Sequence, residues 1–159
     1  YLSLLRRKLG LITERTEDNH LIQELFDCMA ENKTDFSHTF RALSELSDQA
    51  SDLDFSMEKL FKNPKKINNW LIKWRDRLPH ETRKEDERKA DMRSVNPKFI
   101  PRNHRIEQVI NSAINEDDFS PFHEITKVLT FPFEEQREFS HYAVAPRSDQ
   151  LVCETYCGT

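Results

Sequence analysis

Two glycines, Gly10 and Gly158, are all that this chain of 159 residues contains. Loops that cradle a phosphate need several positions where backbone N–H groups can approach the ligand without a Cβ in the way. A glycine-rich nucleotide loop is therefore excluded. What the sequence offers instead is apolar residues recurring every three or four positions over most of its length, the signature of amphipathic helix. With 36% apolar and 33% charged residues, the core must be thin and supplied largely by Leu, Ile and the 11 Phe. A chain of this size buries about 70% of its unfolded surface and needs neither disulfide nor metal to hold a core. The three cysteines, Cys28, Cys153 and Cys157, form no disulfide framework, so a reducing compartment is expected. No apolar run approaches the length of a membrane span. The net charge of −4 supplies no global field for nucleic acid or anionic lipid.

Leu2, Leu5 and Leu9 make a first helix that Gly10 closes. Asp18 is placed to cap a second, with Leu21, Ile22, Leu25, Phe26 and Met29 on its apolar stripe, running to about Glu31. Asp35 caps a third, carrying Phe36, Phe40, Leu43 and Leu46. Residues 44–54, rich in Ser and Asp, read as a loop and as the weak point of the fold. Asn63 and Pro64 start the clearest helix, with Ile67, Trp70, Leu71, Trp74 and Leu78 on one stripe, both tryptophans being core residues. Its other face holds Lys62, Lys65, Lys66, Lys73, Arg75 and Arg77 against Asp76, a local excess of five positive charges. Residues 81–93 balance five acids with five bases and predict a solvated helix supported by pairs such as Glu85 with Lys89. Asn96-Pro97 ends it. Phe99-Ile100-Pro101 follows as an extended anchor. Asn103 and Ser120-Pro121 then open two helices of a hairpin. Beyond residue 130 the pattern dissolves. The fold expected is all-α: a multi-helix domain over 1–130 and an irregular, extended tail over 131–159 that ends in a cysteine-containing motif. The opening at Tyr1, already inside a helical pattern, reads as a piece of a longer protein.

Chemistry is thinly supplied. The six histidines lie at no metal-ligand spacing, and His104 with Glu107 or His123 with Glu124 read as ordinary surface and helix-start residues. No catalytic, cofactor-binding or metal residue is assigned. The basic face of Lys62–Arg77 suits an acidic partner, although it reads first as a solvated face. Cys28 falls on an apolar stripe and reads as a small buried hydrophobe. Cys153 and Cys157 are redox candidates. In extended chain their Cα atoms would lie about 13 Å apart, beyond the roughly 4.4–6.8 Å a disulfide spans, so a partner for Cys157 is sought elsewhere; the alternative is a free thiol near the terminus.

Three stretches together resemble the C-terminal region of the selenoprotein O family. They are RRKLGL and DNHLIQELFDCMAENKTDFSHTFRAL between Arg6 and Leu43, MRSVNPKFIPRNHRIEQVI from Met92 to Ile110, and YCGT from Tyr156 to Thr159. The second is the most specific. The resemblance implies the end of a larger enzyme with a protein-kinase-like fold that transfers AMP to protein side chains. Its ATP- and Mg²⁺-binding machinery would lie upstream, so ATP and Mg²⁺ are implied for the full-length protein and not for these residues. The implied partners are the upstream kinase-like domain and protein substrates, with no nucleic acid and no membrane. Localisation would be the cytoplasm in a bacterium or the mitochondrion in a eukaryote. Cys157 falls where family members carry selenocysteine or cysteine, which implies redox control through a disulfide to the kinase-like core. The competing readings are a free-standing helical module holding an acidic partner on Lys62–Arg77 and, more weakly, a thiol oxidoreductase using Cys153 and Cys157.

Overall fold

A computed structural model describes residues 1–150. Among the described residues there is helix and no strand, as the periodicity requires. The chain divides into two compact units, 1–96 and 97–159.

The first unit holds α1 (Leu2–Lys8), α2 (Asp18–Asn32), α3 (Phe36–Leu43), α4 (Asp54–Glu58), α5 (Pro64–Arg77) and α6 (Glu85–Val95). Helix α1 stops because Gly10 turns left-handed, at φ 77°. Its N–H donates to the Arg7 carbonyl at 3.0 Å and that of Leu11 to the Arg6 carbonyl at 2.9 Å, which satisfies the last carbonyls of the helix. Asp35 caps α3 as its sequence position predicts, its carboxylate accepting from the His38 N–H at 2.8 Å. Asp18 does not cap α2. It is the first residue of the helix, and its fully buried carboxylate is taken by Arg77 and by the Arg15 N–H. Pro64 occupies the first turn of α5, where the missing N–H costs nothing.

Helices α2 and α5 pack together. Trp70 and Trp74 are buried, stack with centroids 6.3 Å apart, and give their indole N–H groups to the Leu21 carbonyl at 2.8 Å and the Leu9 carbonyl at 2.9 Å. Each indole thus fills the core while keeping its one donor satisfied. Leu25, Leu43, Leu46, Met57 and Ile67 complete this core with no exposed surface, each burial worth roughly 1.5–3 kcal/mol.

Two expectations change here. Residues 81–93 do not form one solvated helix: a 3₁₀ turn spans Leu78–His80 and α6 begins only at Glu85, with Arg88 and Met92 buried. The expected i,i+4 pair of Glu85 with Lys89 does form, at 2.6 Å. The 44–54 loop is held rather than loose. Arg88 donates to the Leu46 carbonyl at 2.7 Å, Arg75 to the Ser47 carbonyl at 3.1 Å, and the Asp48 N–H donates to Glu85 at 2.9 Å.

The second unit contains α7 (Asn103–Glu116), α8 (Ser120–Thr130) and α9 (Ser140–Ala143), with 3₁₀ turns at Arg137–Phe139 and Ser148–Gln150. Helices α7 and α8 pack as the expected hairpin, turning at Asp117 with φ 52°. Beyond α8 the described residues form only the one-turn helix α9 and the two 3₁₀ turns. Phe99, Val109, Ile125, Val128, Tyr142 and Ala143 form one core. Residues on both sides of position 130 share this core. The Pro132 carbonyl accepts from the N–H groups of Lys98 and Phe99 at 2.8 and 3.0 Å, and Arg102 donates to the Ala143 carbonyl at 3.1 Å.

Candidate functional site

The densest polar construction is the junction of α1 with α6. Arg7 forks onto Asp91 at 2.7 and 3.0 Å and reaches Ser94 at 3.2 Å. Lys8 donates to the Val95 carbonyl at 2.8 Å and the Asn96 Oδ1 at 3.1 Å. Asn96, with no exposed surface, returns its amide N–H groups to the Lys8 carbonyl and Ser44 Oγ, both at 3.0 Å, while its own carbonyl accepts from Arg41 at 3.2 Å. Burial holds the Lys8 ammonium below its ordinary pKa. The Asp91 carboxyl is pulled down, first by the Arg7 hydrogen bond and then by Arg83.

Gly10 makes this junction close. A Cβ there would lie 2.7 Å from Arg88 Cγ and 2.8 Å from Met92 Sδ. Arg88 is fixed in turn by Asp48 at 2.9 Å, by the Leu46 carbonyl, and by the face of Trp74, 5.0 Å from the ring centre. The stretch Arg6–Leu11 therefore meets the stretch that starts at Met92, so the first two segments of the family resemblance are partners in space.

A second cluster surrounds Arg77. Its guanidinium donates to Asp18 at 2.7 Å, Glu81 at 2.8 Å and the Thr13 carbonyl at 2.7 Å, and all three charged side chains are almost wholly buried. Glu81 also accepts from the N–H groups of Ile12 and Thr13. Burial works against the charge on Arg77, but the hydrogen bonds of Asp18 and Glu81 outweigh it, and its pKa is raised.

The expected basic face of α5 is mostly consumed inside the unit. Lys66 pairs with Glu31, Lys73 with Glu24, Arg75 with Asp54 and Arg77 with Asp18. Only Lys62 and Lys65 of the six carry no ion pair among the described residues. Between α2 and α5 lies an open groove of about 250 Å³ with Cys28 and Trp70 in its lining and the Glu24–Lys73 and Glu31–Lys66 pairs around them. Cys28 is buried, as its stripe position predicts, and burial pushes its thiol pKa up.

His104 is buried with Nδ1 unbonded, and its pKa is pushed down by burial and by Arg105, Arg102 and Arg147. Glu124 lies 3.5 Å from His141 rather than pairing with its neighbour His123. Tyr142 is raised to about 12 by burial and by its hydrogen bond to Glu124. Cys153 and Cys157 lie outside the described residues. Among the described residues no three His, Cys, Asp or Glu side chains converge as metal ligands, and no helix is long and apolar enough to cross a membrane.

The family model described as protein adenylyltransferase SelO matches residues 1–130, from the α1–α6 junction through the hairpin. The chain belongs to the SelO family. Its relatives include the protein nucleotidyltransferase YdiU of a Bradyrhizobium species, 48% identical over 155 residues, which are 98% of this chain and 31% of the relative. The YdiU proteins of Bradyrhizobium diazoefficiens and Rhodopseudomonas palustris are each 45% identical over 159 residues, 100% of this chain and 32% of theirs. The chain spans about a third of the length of the curated relatives it matches. Sequence reasoning reached the family through Arg6–Leu43, Met92–Ile110 and Tyr156–Thr159, the last outside the described residues, but missed the Asp18–Arg77–Glu81 cluster. The only signal for that cluster was the i,i+4 spacing of Arg77 and Glu81.

Proposed function

We propose that this chain is the non-catalytic C-terminal region of a full-length protein adenylyltransferase that transfers AMP from ATP to Ser, Thr or Tyr of proteins. The observation that carries the reading is the family match over 1–130 at about a third of the relatives' length. A supporting one is that the cations Arg7, Lys8, Arg75, Arg77 and Arg88 are committed to carboxylates and carbonyls of the first unit. ATP and Mg²⁺ are assigned to the rest of the full-length protein, as the family resemblance implies. The role of this region is to brace that part structurally. The bacterial origin of the relatives and the cysteine usage favour the cytoplasm.

Cys157 adds a regulatory element to the same reading: a disulfide oxidant such as oxidised glutathione would accept two electrons as the Cys157 thiol and a thiol of the catalytic part lose their protons and join. The rival module that holds an acidic partner on α5 is disfavoured, because four of its six cations are already paired internally.

Labelled ATP tests the assignment. The full-length protein transfers AMP to protein, whereas the 159-residue chain neither transfers AMP nor binds magnesium-ATP. Tight nucleotide binding by these residues alone overturns it. Mass spectrometry of the oxidised full-length protein that finds no linkage at Cys157 removes the redox element.

A further inference from the structure

The turn end of the α7–α8 hairpin is apolar where solvent should make it polar. Ile110 and Ile114 lie one turn apart on α7, and Phe119 and Phe122 open α8 just past the turn. They are 47%, 75%, 52% and 50% exposed. Counting about 200 Å² for each side chain when fully exposed, the four together present roughly 450 Å² at this end of the hairpin, comparable with the apolar patches that are often functional. The turn between the helices carries Glu116, Asp117 and Asp118. Glu116 accepts from Ser112 at 3.2 Å and Asp118 from the Ser120 N–H at 2.9 Å, and among the described residues none of the three has a cationic partner.

We infer that this hairpin end docks onto the remainder of the full-length family chain, on an apolar face bordered by Lys or Arg. The apolar area is about what one side of a standard interface contributes, a little over half of about 800 Å², so the occupant is decided by what lies within reach of the chain. A partner joined through the same polypeptide is held at millimolar effective concentration and needs far less surface. The curated relatives supply that partner, since about two thirds of their length lies outside this match. The three carboxylates set the chemistry of its border, because an acidic edge repels an acidic face and attracts a basic one.

This rests on the reading that the chain is part of a full-length adenylyltransferase. AMP transfer by the wild-type protein reports on that reading, and the following test reports on docking. The full-length protein is treated with a carbodiimide and, separately, with hydroxyl radicals, and each product is mapped by mass spectrometry. The expected result is intramolecular cross-links from Glu116, Asp117 or Asp118 to lysines outside these 159 residues. Oxidation of Phe119 and Phe122 should be several-fold slower in the wild type than in Ile114→Glu. Ile114 is three-quarters exposed, so its replacement leaves the core intact; the rim pair Glu116→Lys with Asp117→Lys gives the same readout without touching the apolar patch. Equal oxidation rates in wild type and variants overturn the inference. So do cross-links found only between molecules, which would assign the patch to a second copy.

Discussion

Replacing Gly10 by alanine tests the α1–α6 junction at its tightest point. Alanine would have to hold φ 77°, which costs about 1–2 kcal/mol for a residue with a Cβ. The new methyl would also lie 2.7 Å from Arg88 Cγ and 2.8 Å from Met92 Sδ, against about 3.5–4.0 Å for a relaxed contact. Arg88 cannot step aside cheaply. Its guanidinium is bonded to Asp48 and to the Leu46 carbonyl and lies over Trp74. Overpacking of this kind costs about 1–3 kcal/mol, so Gly10→Ala should remove about 2–5 kcal/mol from a stability on the order of 5–15 kcal/mol. Urea unfolding followed by circular dichroism measures it. Met92→Ala separates packing from backbone strain, because it removes the Met92 contact, leaves that with Arg88, and leaves φ as it is. In that background the cost of Gly10→Ala should fall by about 1 kcal/mol, a coupling of the size expected for residues in contact. A loss under about 0.5 kcal/mol for the single variant, within the range of ordinary surface changes, would refute the reasoning.

Arg77→Met keeps most of the side-chain volume but strands Asp18 and Glu81. It should cost about 3–5 kcal/mol in the same urea titration, while Lys62→Met, at an exposed position with no ion pair among the described residues, should change stability by less than about 0.5 kcal/mol. Glu85 is held at about 2 by the Asp48 N–H first and by Lys89 second. Its folded pKa lies below the ordinary value of about 4.3, so the stability it contributes is present above pH 4.3 and is lost as pH falls toward 2. The urea midpoint should drop between pH 5 and pH 2.5, and Glu85→Gln should flatten that segment of the profile.

Local chemistry was legible in the sequence. The left-handed close at Gly10, the Asp35 cap, the proline start of α5, the tryptophan stripe and the break before Pro97 each depend on a few neighbouring residues, and each is found. Long-range pairing was not. Apart from Glu81, four residues beyond Arg77, the acids that neutralise α5 lie 21 to 59 residues away along the chain, so Lys66, Lys73, Arg75 and Arg77 looked like an unopposed basic face. Asp18 stood where a cap belongs, and nothing local revealed that Arg77 claims it. Arg88 sat in a run of balanced charges that reads as solvated, yet its stem fills the space left by a glycine 78 positions earlier. The boundary at residue 96 was hidden for the same reason, since Tyr142 joins the core of Phe99 and Val109 only in three dimensions.

Both tryptophans of the protein lie in the first unit, stacked and shielded from water, and residues 97–159 contain none. Indole emission is therefore a private reporter of the first unit. A melt read at that wavelength is blind to the second, whose own transition must be followed through tyrosine or helix absorbance. Any disagreement between the two signals would show directly that the halves come apart separately.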